Sequence, residues 1–486
     1  MLRIYNPISR KKEEVTPGHG RTISMYACGP TVYYFAHIGN MRTYSEEDIL
    51  KRVLIHNGYS VKHIMNITDV GHLVGDGNIG EDKIAMTAKK EGKDAKEIVT
   101  FYTDAFFSDL KELNILLPDK TPKATEHIKE MLTMIKNLYN KGFLYKIRTG
   151  MYFDTSKFKE YGVLTGMNFN KMNENLIAGA RVKREHGIRN TTDFAVWRFL
   201  EDGNNWMVWD SEWGRGFPGW HIECSAMSMK YLGETIDIHC GGVDHIPIHH
   251  TNEIAQSEAA TGKKFVTHWF HVEFLTVNGS KMSKSLGNIY TLEDIKKKGF
   301  EPVALRYFLI SGHYRQKLNF TFEALESAQR TLEYIFGFVE RLTSHMKFSE
   351  KSNKKFIDFA TDAKSKFFKS LDDDLDMPNA LSSMHLLIRD ANKALDKNAL
   401  SEEDIAKVLD IMLSFDEILG LGIGKKIVEE KHAPLDKEIE DLINERNALR
   451  GIKDFAGSDR IRKLLLDKYK IIVEDTSEGT KWKKAK

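Results

Sequence analysis

Three cysteines in 486 residues, none in a C-x-x-C pair, are too few for a disulfide scaffold and fit a reducing compartment. An excess of one charge sign is also missing. The 71 Lys and Arg stand against 69 Asp and Glu, a formal net charge of +2. A basic coat over the whole chain is thereby excluded, and nucleic acid would have to be met by local basic patches. No apolar run approaches the ~18 residues of a membrane span. The opening M-L-R-I-Y-N-P-I-S-R-K-K-E-E lacks the apolar core of a signal peptide. No internal repeat is visible. A soluble, cytoplasmic protein is expected. The composition that remains, 41% hydrophobic and 29% charged, is that of a globular chain. At ~150 residues per domain its length suits about three domains.

Two stretches alternate between strand and helix. Ile23 to Cys28 reads as a strand ended by Gly29-Pro30, and Ile38 to Asn57 as a helix stopped at Asn57-Gly58. Ser60 to Thr68 follows as a second strand, giving a βαβ crossover. Downstream, a helix from Trp220 to Leu232 leads to a strand from Thr235 to His239. A helix from His249 to Ala260 then leads to a strand near His271 to Val277. Between these halves, a helix through Ile128, Leu132, Ile135 and Leu138 precedes a Gly-, Asn-, Asp- and Trp-rich stretch from Gly150 to Pro218. Residues 112–215 thus read as an insertion into a doubly wound parallel sheet, an α/β fold of the Rossmann type. After Phe320 the pattern is helical, with Leu381, Met384, Ile388, Ala391 and Leu395 on one bundle face. Asp372-Asp373-Asp374 reads as a solvated turn or a metal cluster, and Lys431-His432-Ala433-Pro434 as a linker to a small last unit.

Chemistry concentrates in three places. His37-Ile38-Gly39-Asn40 enters the first helix, where unpaired N–H groups and the dipole favour phosphate. Gly39 permits close approach to the backbone, while His37 and Asn40 add donors. Lys281-Met282-Ser283-Lys284-Ser285 is a small-residue loop with two ammonium groups, suited to a polyphosphate whose charge grows as a bond breaks. Cys28, Cys224, His249 and Glu253 fall near strand ends or on the adjoining helices, where such sheets bind ligands. Two thiolates, an imidazole and a carboxylate suit zinc. Buried cysteines and a capping Glu are the ordinary alternative.

H-I-G-N and K-M-S-K-S resemble the two signature motifs of class I aminoacyl-tRNA synthetases. Y-A-C-G-P-T-V-Y from Tyr26, N-I-T-D from Asn66, G-W-H-I-E-C-S-A-M from Gly219, H-H-T-N-E-I-A-Q-S from His249 and A-L-R-Y-F from Ala304 resemble the cysteinyl-tRNA synthetase family. The resemblance runs from Leu2 to about Leu466. It implies ATP-dependent activation of cysteine, with Mg2+, and transfer to the 3′-terminal adenosine of the tRNA for cysteine. It implies one zinc held by Cys28, Cys224, His249 and Glu253, which selects cysteine over serine by binding a thiolate. His37, Gly39, Asn40 and Lys284 would bind ATP; His37, Asn40, Lys281 and Lys284 would be catalytic. Gly29, Thr68, Trp220 and Asp244 would contact the amino acid, with Asp244 meeting the ammonium; Trp220 as plain core is the alternative. Two positions depart from the family: Asn40 stands where the class more often has His, and Cys240 where Gly is usual, which raises the question of a competing ligand.

The expected organisation follows. Residues 1–111 and 216–280 form the two halves of the nucleotide-binding domain, with 112–215 as the connective insertion. Residues 281–320 form the lysine loop and stem-contact region, 321–423 a helical bundle, and 424–486 a small anticodon-binding domain. Arg446, Arg450, Lys453, Arg460 and Arg462 are candidates for tRNA contacts, or a solvated helix face. A monomer is expected, with no membrane partner. A zinc hydrolase would use His249-His250-x-x-Glu253 but leaves the lysine loop idle. A ligase joining activated cysteine to a small amine, or a non-catalytic tRNA-binding paralogue, leaves either the helical half or the phosphate motifs without a purpose.

Overall fold

A computed structural model describes residues 1–18, 20–70, 83–168, 170–172, 186–199, 207–283, 286–432, 437–469, 471–476 and 479–484. Four strands make a wholly parallel sheet in the order Val266–Val272, Ile236–Gly242, Thr22–Ala27 and Ser60–Met65. Strand order reverses between the two central members, so the crevice at their carboxyl ends is a switch point where such sheets take ligands. Tyr26 pairs with His239 and Ala27 with Cys240, and Cys28 N donates to the Cys240 carbonyl at 3.3 Å. Helices Ile38–His56, Trp220–Leu232 and His249–Thr261 pack around this sheet.

The last strand lies at Val266–Val272, five residues before the expected start, and a short strand Leu275–Val277 joins another sheet. V-T-H-W-F-H-V is buried along nearly its whole length, so its histidines and threonine break the apolar signal without marking a solvent face. Residues from the intervening stretch build an antiparallel sheet of Leu144–Ile147, Gly150–Phe153, Phe194–Phe199 and Gly216–Pro218. Its core packs Met151, Phe153 and Trp197 against Ile222 and Met227 of the Trp220–Leu232 helix.

The helical half is fastened by buried polar groups. Arg306, fully buried on helix Pro302–Ile310, donates to Asp48 Oδ2 at 2.6 Å and to the Leu419 and Leu113 carbonyls at 2.6 and 3.0 Å. One guanidinium thus ties the first helix, the loop after Ala95–Glu112 and the end of Glu402–Leu419 together. Asp372-Asp373-Asp374 is the expected turn between the helices Lys354–Asp372 and Met377–Asp396, with Asp373 exposed, but Asp374 is buried, and the three form no metal-ligand group among the described residues. Asp373 pairs with Lys12 at 2.8 Å, while buried Asp374 accepts from Arg315 Nε at 2.9 Å and Tyr314 Oη at 2.6 Å. Partners hundreds of residues away in sequence thereby pin the hairpin Arg3–Asn6/Lys11–Glu14 to the bundle.

Residues Met1–Ile423 and Gly424–Lys486 form separate compact units. Lys431 and His432 end a helix that starts at Ile423, in place of the expected linker; Ala433 and Pro434 lie outside the described residues. The second unit packs helices Lys437–Gly451 and Phe455–Tyr469 on the hairpin Ile471–Thr476/Gly479–Lys484, around Ile443, Leu465, Ile471 and Val473. Arg446 is buried there in a bidentate pair with Asp475, so it holds the unit together and is removed from the candidates for RNA contact. Arg460 and Arg462 are exposed.

The first helix buries Glu46 and Glu47 along with its apolar residues. Burial pushes the Glu46 carboxyl up to about 8, against the pull of the Arg42 and Arg306 guanidiniums. An unfolded glutamate titrates at ~4.3. The folded state therefore holds an extra proton between those values, and the stability from the protonated form is lost as pH rises through about 8. In Glu46→Gln the fall in Tm from pH 5 to pH 9 should be smaller than in the parent. An equal fall in both would show that Glu46 ionises freely in the folded protein.

Candidate functional site

A cleft of about 1020 Å³ opens at the carboxyl ends of the parallel strands. Among the residues expected at the site, Cys28, Gly29, His37, Asn40, Thr68, Trp220, Cys224, Asp244 and His249 line it. Glu253 lies behind this wall, fully buried. Lys281 is exposed in the short strand Ser280–Lys281, and Lys284 and Ser285 lie outside the described residues.

At one end the two phosphate motifs meet. His37 caps the first helix, its Nδ1 accepting from Asn40 N at 3.2 Å, while Asn40 Oδ1 accepts from His37 N at 3.1 Å. The Asn40 carbonyl oxygen is thereby spent on the cap, and its amide nitrogen is the donor left for a ligand. A Cβ at Gly39 would stand 2.3 Å from the Met282 methyl, so the open side of this glycine seats the lysine loop. Ile38 N donates to the Tyr290 carbonyl at 2.9 Å, and Asn288 holds Ser283 N at 2.9 Å and the Lys281 carbonyl at 3.2 Å. Burial depresses the His37 imidazole, offset in part by its backbone hydrogen bond and Asp244, so near pH 7 it is a neutral donor.

Polar side chains order the middle of the cleft. Asn66 Oδ1 accepts from Gly29 N at 2.9 Å and Asn66 Nδ2 donates to Thr68 Oγ1 at 2.9 Å. A Cβ at Gly29 would fall 1.7 Å from the Asn66 carbonyl, so only glycine lets the two segments approach this closely. Asp244 is exposed on the short turn Val243–His245 that follows the central strand. Trp220, the first residue of its helix, stacks obliquely over His249 with centroids 4.5 Å apart and faces the cleft. It is therefore not plain core.

At the floor, Cys28, Cys224, His249 and Glu253 each offer one ligand atom, all within 4.8 Å of one another. Cys28 follows the first strand, Cys224 sits on the second helix, and His249 and Glu253 are one turn apart on the third. The donor set fits a cation of intermediate softness. Glu253 Oε1 is buried without a hydrogen-bond partner, an expensive arrangement that a metal ion would relieve. Burial pushes the Cys28 thiol well up, and only a neighbouring cation would favour its thiolate. Cys28, His239, His250 and Glu253 meet the same distance limit. In that set, however, His239 Nε2 already holds Glu253 Oε2 at 2.7 Å. Neither His239 nor His250 lines the cleft, whereas Cys28, Cys224 and His249 do. Cys240 is buried and belongs to neither group.

Sequence reasoning missed His239, which orients Glu253, and Asn66, which braces Gly29 and Thr68. The signal for His239 was present as alternation, since it shares one face of its strand with Asp237 and Gly241.

Residues 14–330 match the family model for the class I (C) tRNA synthetase catalytic domain, and residues 366–423 match the DALR domain. A protein of Treponema denticola named cysteine–tRNA ligase is 44% identical, covering 99% of this chain and 99% of its own length. Proteins of the same name from Solibacter usitatus and Thermococcus gammatolerans are 41% and 39% identical, each over 99% or more of both chains. Among solved structures, a Mycobacterium tuberculosis methionyl-tRNA synthetase in complex with methionyl-adenylate superposes with a TM-score of 0.62 at 17% identity. It covers 84% of this chain and 93% of that one. That likeness speaks for the fold, an α/β sheet followed by helices. With the catalytic model spanning more than half its residues and such relatives matching end to end, the chain belongs to the class I (C) tRNA synthetase family.

Proposed function

We propose that this protein is a cysteine–tRNA ligase, which activates cysteine with ATP and Mg2+ and passes it to the 3′-terminal adenosine of its tRNA. The observation that carries this reading is the cleft itself, with a two-thiol, imidazole and carboxylate floor beneath a junction of H-I-G-N with the lysine loop. Cys28, Cys224, His249 and Glu253 would hold zinc, which supplies a soft Lewis acid that takes a thiolate far better than a hydroxyl. Packing alone separates near-isosteres poorly, so this donor set suits a site that must refuse serine.

The chain's own groups do the rest by position and charge. The exposed carboxylate of Asp244 would meet the ammonium, and Thr68 and Trp220, which line the cleft, would border the amino acid. Neutral His37, the Asn40 amide and the first helix's N-terminus offer donors to phosphate, while Lys281 and Lys284 counter the charge of departing pyrophosphate. The 3′ hydroxyl of the tRNA then attacks the activated carbonyl, and AMP leaves. A hydrolase built on His249-His250-x-x-Glu253 would aim Glu253 at water in an open cleft; here that carboxylate is buried and bracketed by His239. The bundle and the unit from Gly424 would carry the tRNA, with the anticodon read by the latter through residues such as Arg460 and Arg462.

Purified protein should hold about one zinc per chain. Cys224→Ala should lose most of it and weaken cysteine binding, whereas Cys240→Ala should keep both, measured by metal analysis and cysteine titration. Zinc retained in Cys224→Ala and lost in Cys240→Ala would overturn the ligand assignment. A second comparison separates activation from tRNA selection. Lys284→Ala should slow single-turnover adenylate formation at least ~100-fold, the scale of a lost transition-state donor, with cysteine affinity little changed. Deletion from Gly424 onward, in soluble protein, should spare adenylate formation and cripple tRNA charging. Unimpaired charging by the truncated enzyme would remove the anticodon role, and an unchanged first step would remove Lys284 from the mechanism.

A further inference from the structure

One side of the cleft rim is aromatic, and none of the roles assigned above uses it. Tyr34 and Phe35, just before His37, are 49% and 38% exposed, and Phe101 on the helix Ala95–Glu112 is 46% exposed. Single exposed aromatics are ordinary. These three form one contiguous surface: Phe35 lies 5.7 Å from Tyr34 and 5.8 Å from Phe101 between ring centroids. Buried Tyr102 underlies them, 5.0 to 5.9 Å from each ring, and its hydroxyl is fixed to Glu91 at 2.6 Å. The exposed rings are therefore backed by a buried side chain held in place by its own hydrogen bond.

Its charge is arranged to match. Lys90 stands at the adjoining cleft wall, while Lys93, 4.8 Å from the Phe101 centroid, is paired with Glu91 and offsets its charge. The nearby Glu91 carboxylate is already taken by Lys93 at 3.0 Å and by Tyr102. Flat π-faces with ammonium groups beside them are what unpaired nucleotides require, stacking for the bases and cations for the phosphates. Tyr34, Phe35 and Lys90 line the same cleft as Cys28, Cys224 and His249, so the ledge leads directly to the floor.

We propose that Tyr34, Phe35 and Phe101 form a stacking ledge for the unpaired 3′ end of the tRNA, holding its bases while the terminal adenosine enters the cleft. This rests on the tRNA-ligase reading above and names the surface by which that substrate enters. The ledge reads a base face and not a base edge, so it contributes affinity and position without sequence selection.

The test uses full-length protein, intact tRNA for cysteine and the same tRNA trimmed of its unpaired 3′ nucleotides. The parent should bind the intact form about tenfold more tightly, the usual worth of one stacked base. Phe101→Ala should erase most of that difference and Phe101→Trp should keep it, with cysteine-dependent pyrophosphate exchange unchanged in both. An undiminished preference for the intact tRNA in Phe101→Ala would overturn the ledge. So would a parallel rise in the KM for ATP, which would give the rings to the ATP adenine. Absence of cysteine-dependent exchange in the parent would instead sink the functional reading on which the ledge rests.

Discussion

Two thiols, an imidazole and a carboxylate are packed together at the floor of the cleft, and polar groups taken out of water must find partners. Three of the four face the cleft, while Glu253 is sealed behind them with one oxygen bonded to His239 and the other, 3.5 Å from His249 Nε2, without a hydrogen bond. The rest of the site is organised around this cost. The parallel register that sets Ala27 beside Cys240 brings Cys28 to the helices bearing Cys224 and His249. A metal ion would compensate the burial and turn the same four groups into a sorter of side-chain sulfur from oxygen. Stability and selectivity would then come from one arrangement.

The phosphate end works on a different principle. It depends on backbone: a capped helix start, a glycine seating Met282, and a loop held by Asn288. Contact between His37 to Asn40 and Met282 means that a shift of the lysine loop is felt at the helix N-terminus. Buried Arg306 fastens the helical half to that same first helix through Asp48, which gives the arginine of A-L-R-Y-F a structural role away from the chemistry.

Much of this was legible in the residues, and the exceptions share a cause. The Trp220–Leu232 helix and the start of the first helix follow from local stops and caps. The metal donors were identifiable as residue types, but their convergence was implied by resemblance, since spacings of about 200 residues carry no geometry. Long-range pairing hid the rest. Asp374 looks like part of a solvated acidic run until Arg315 and Tyr314 reach it, and Arg446 looks like an RNA contact until Asp475 closes on it. The Val266–Val272 strand was misplaced because buried His268 and His271 interrupt an apolar run that never alternates.

The account stands on the cleft floor acting on a side-chain thiol during activation. Amino-acid-dependent pyrophosphate exchange, run with each of the twenty amino acids on protein as purified and again after zinc is removed by chelation, addresses it most directly. The account predicts exchange with cysteine and essentially none with serine, and collapse of the cysteine signal on chelation with recovery on adding zinc back. Exchange supported by serine, or cysteine-dependent exchange indifferent to zinc, would contradict it.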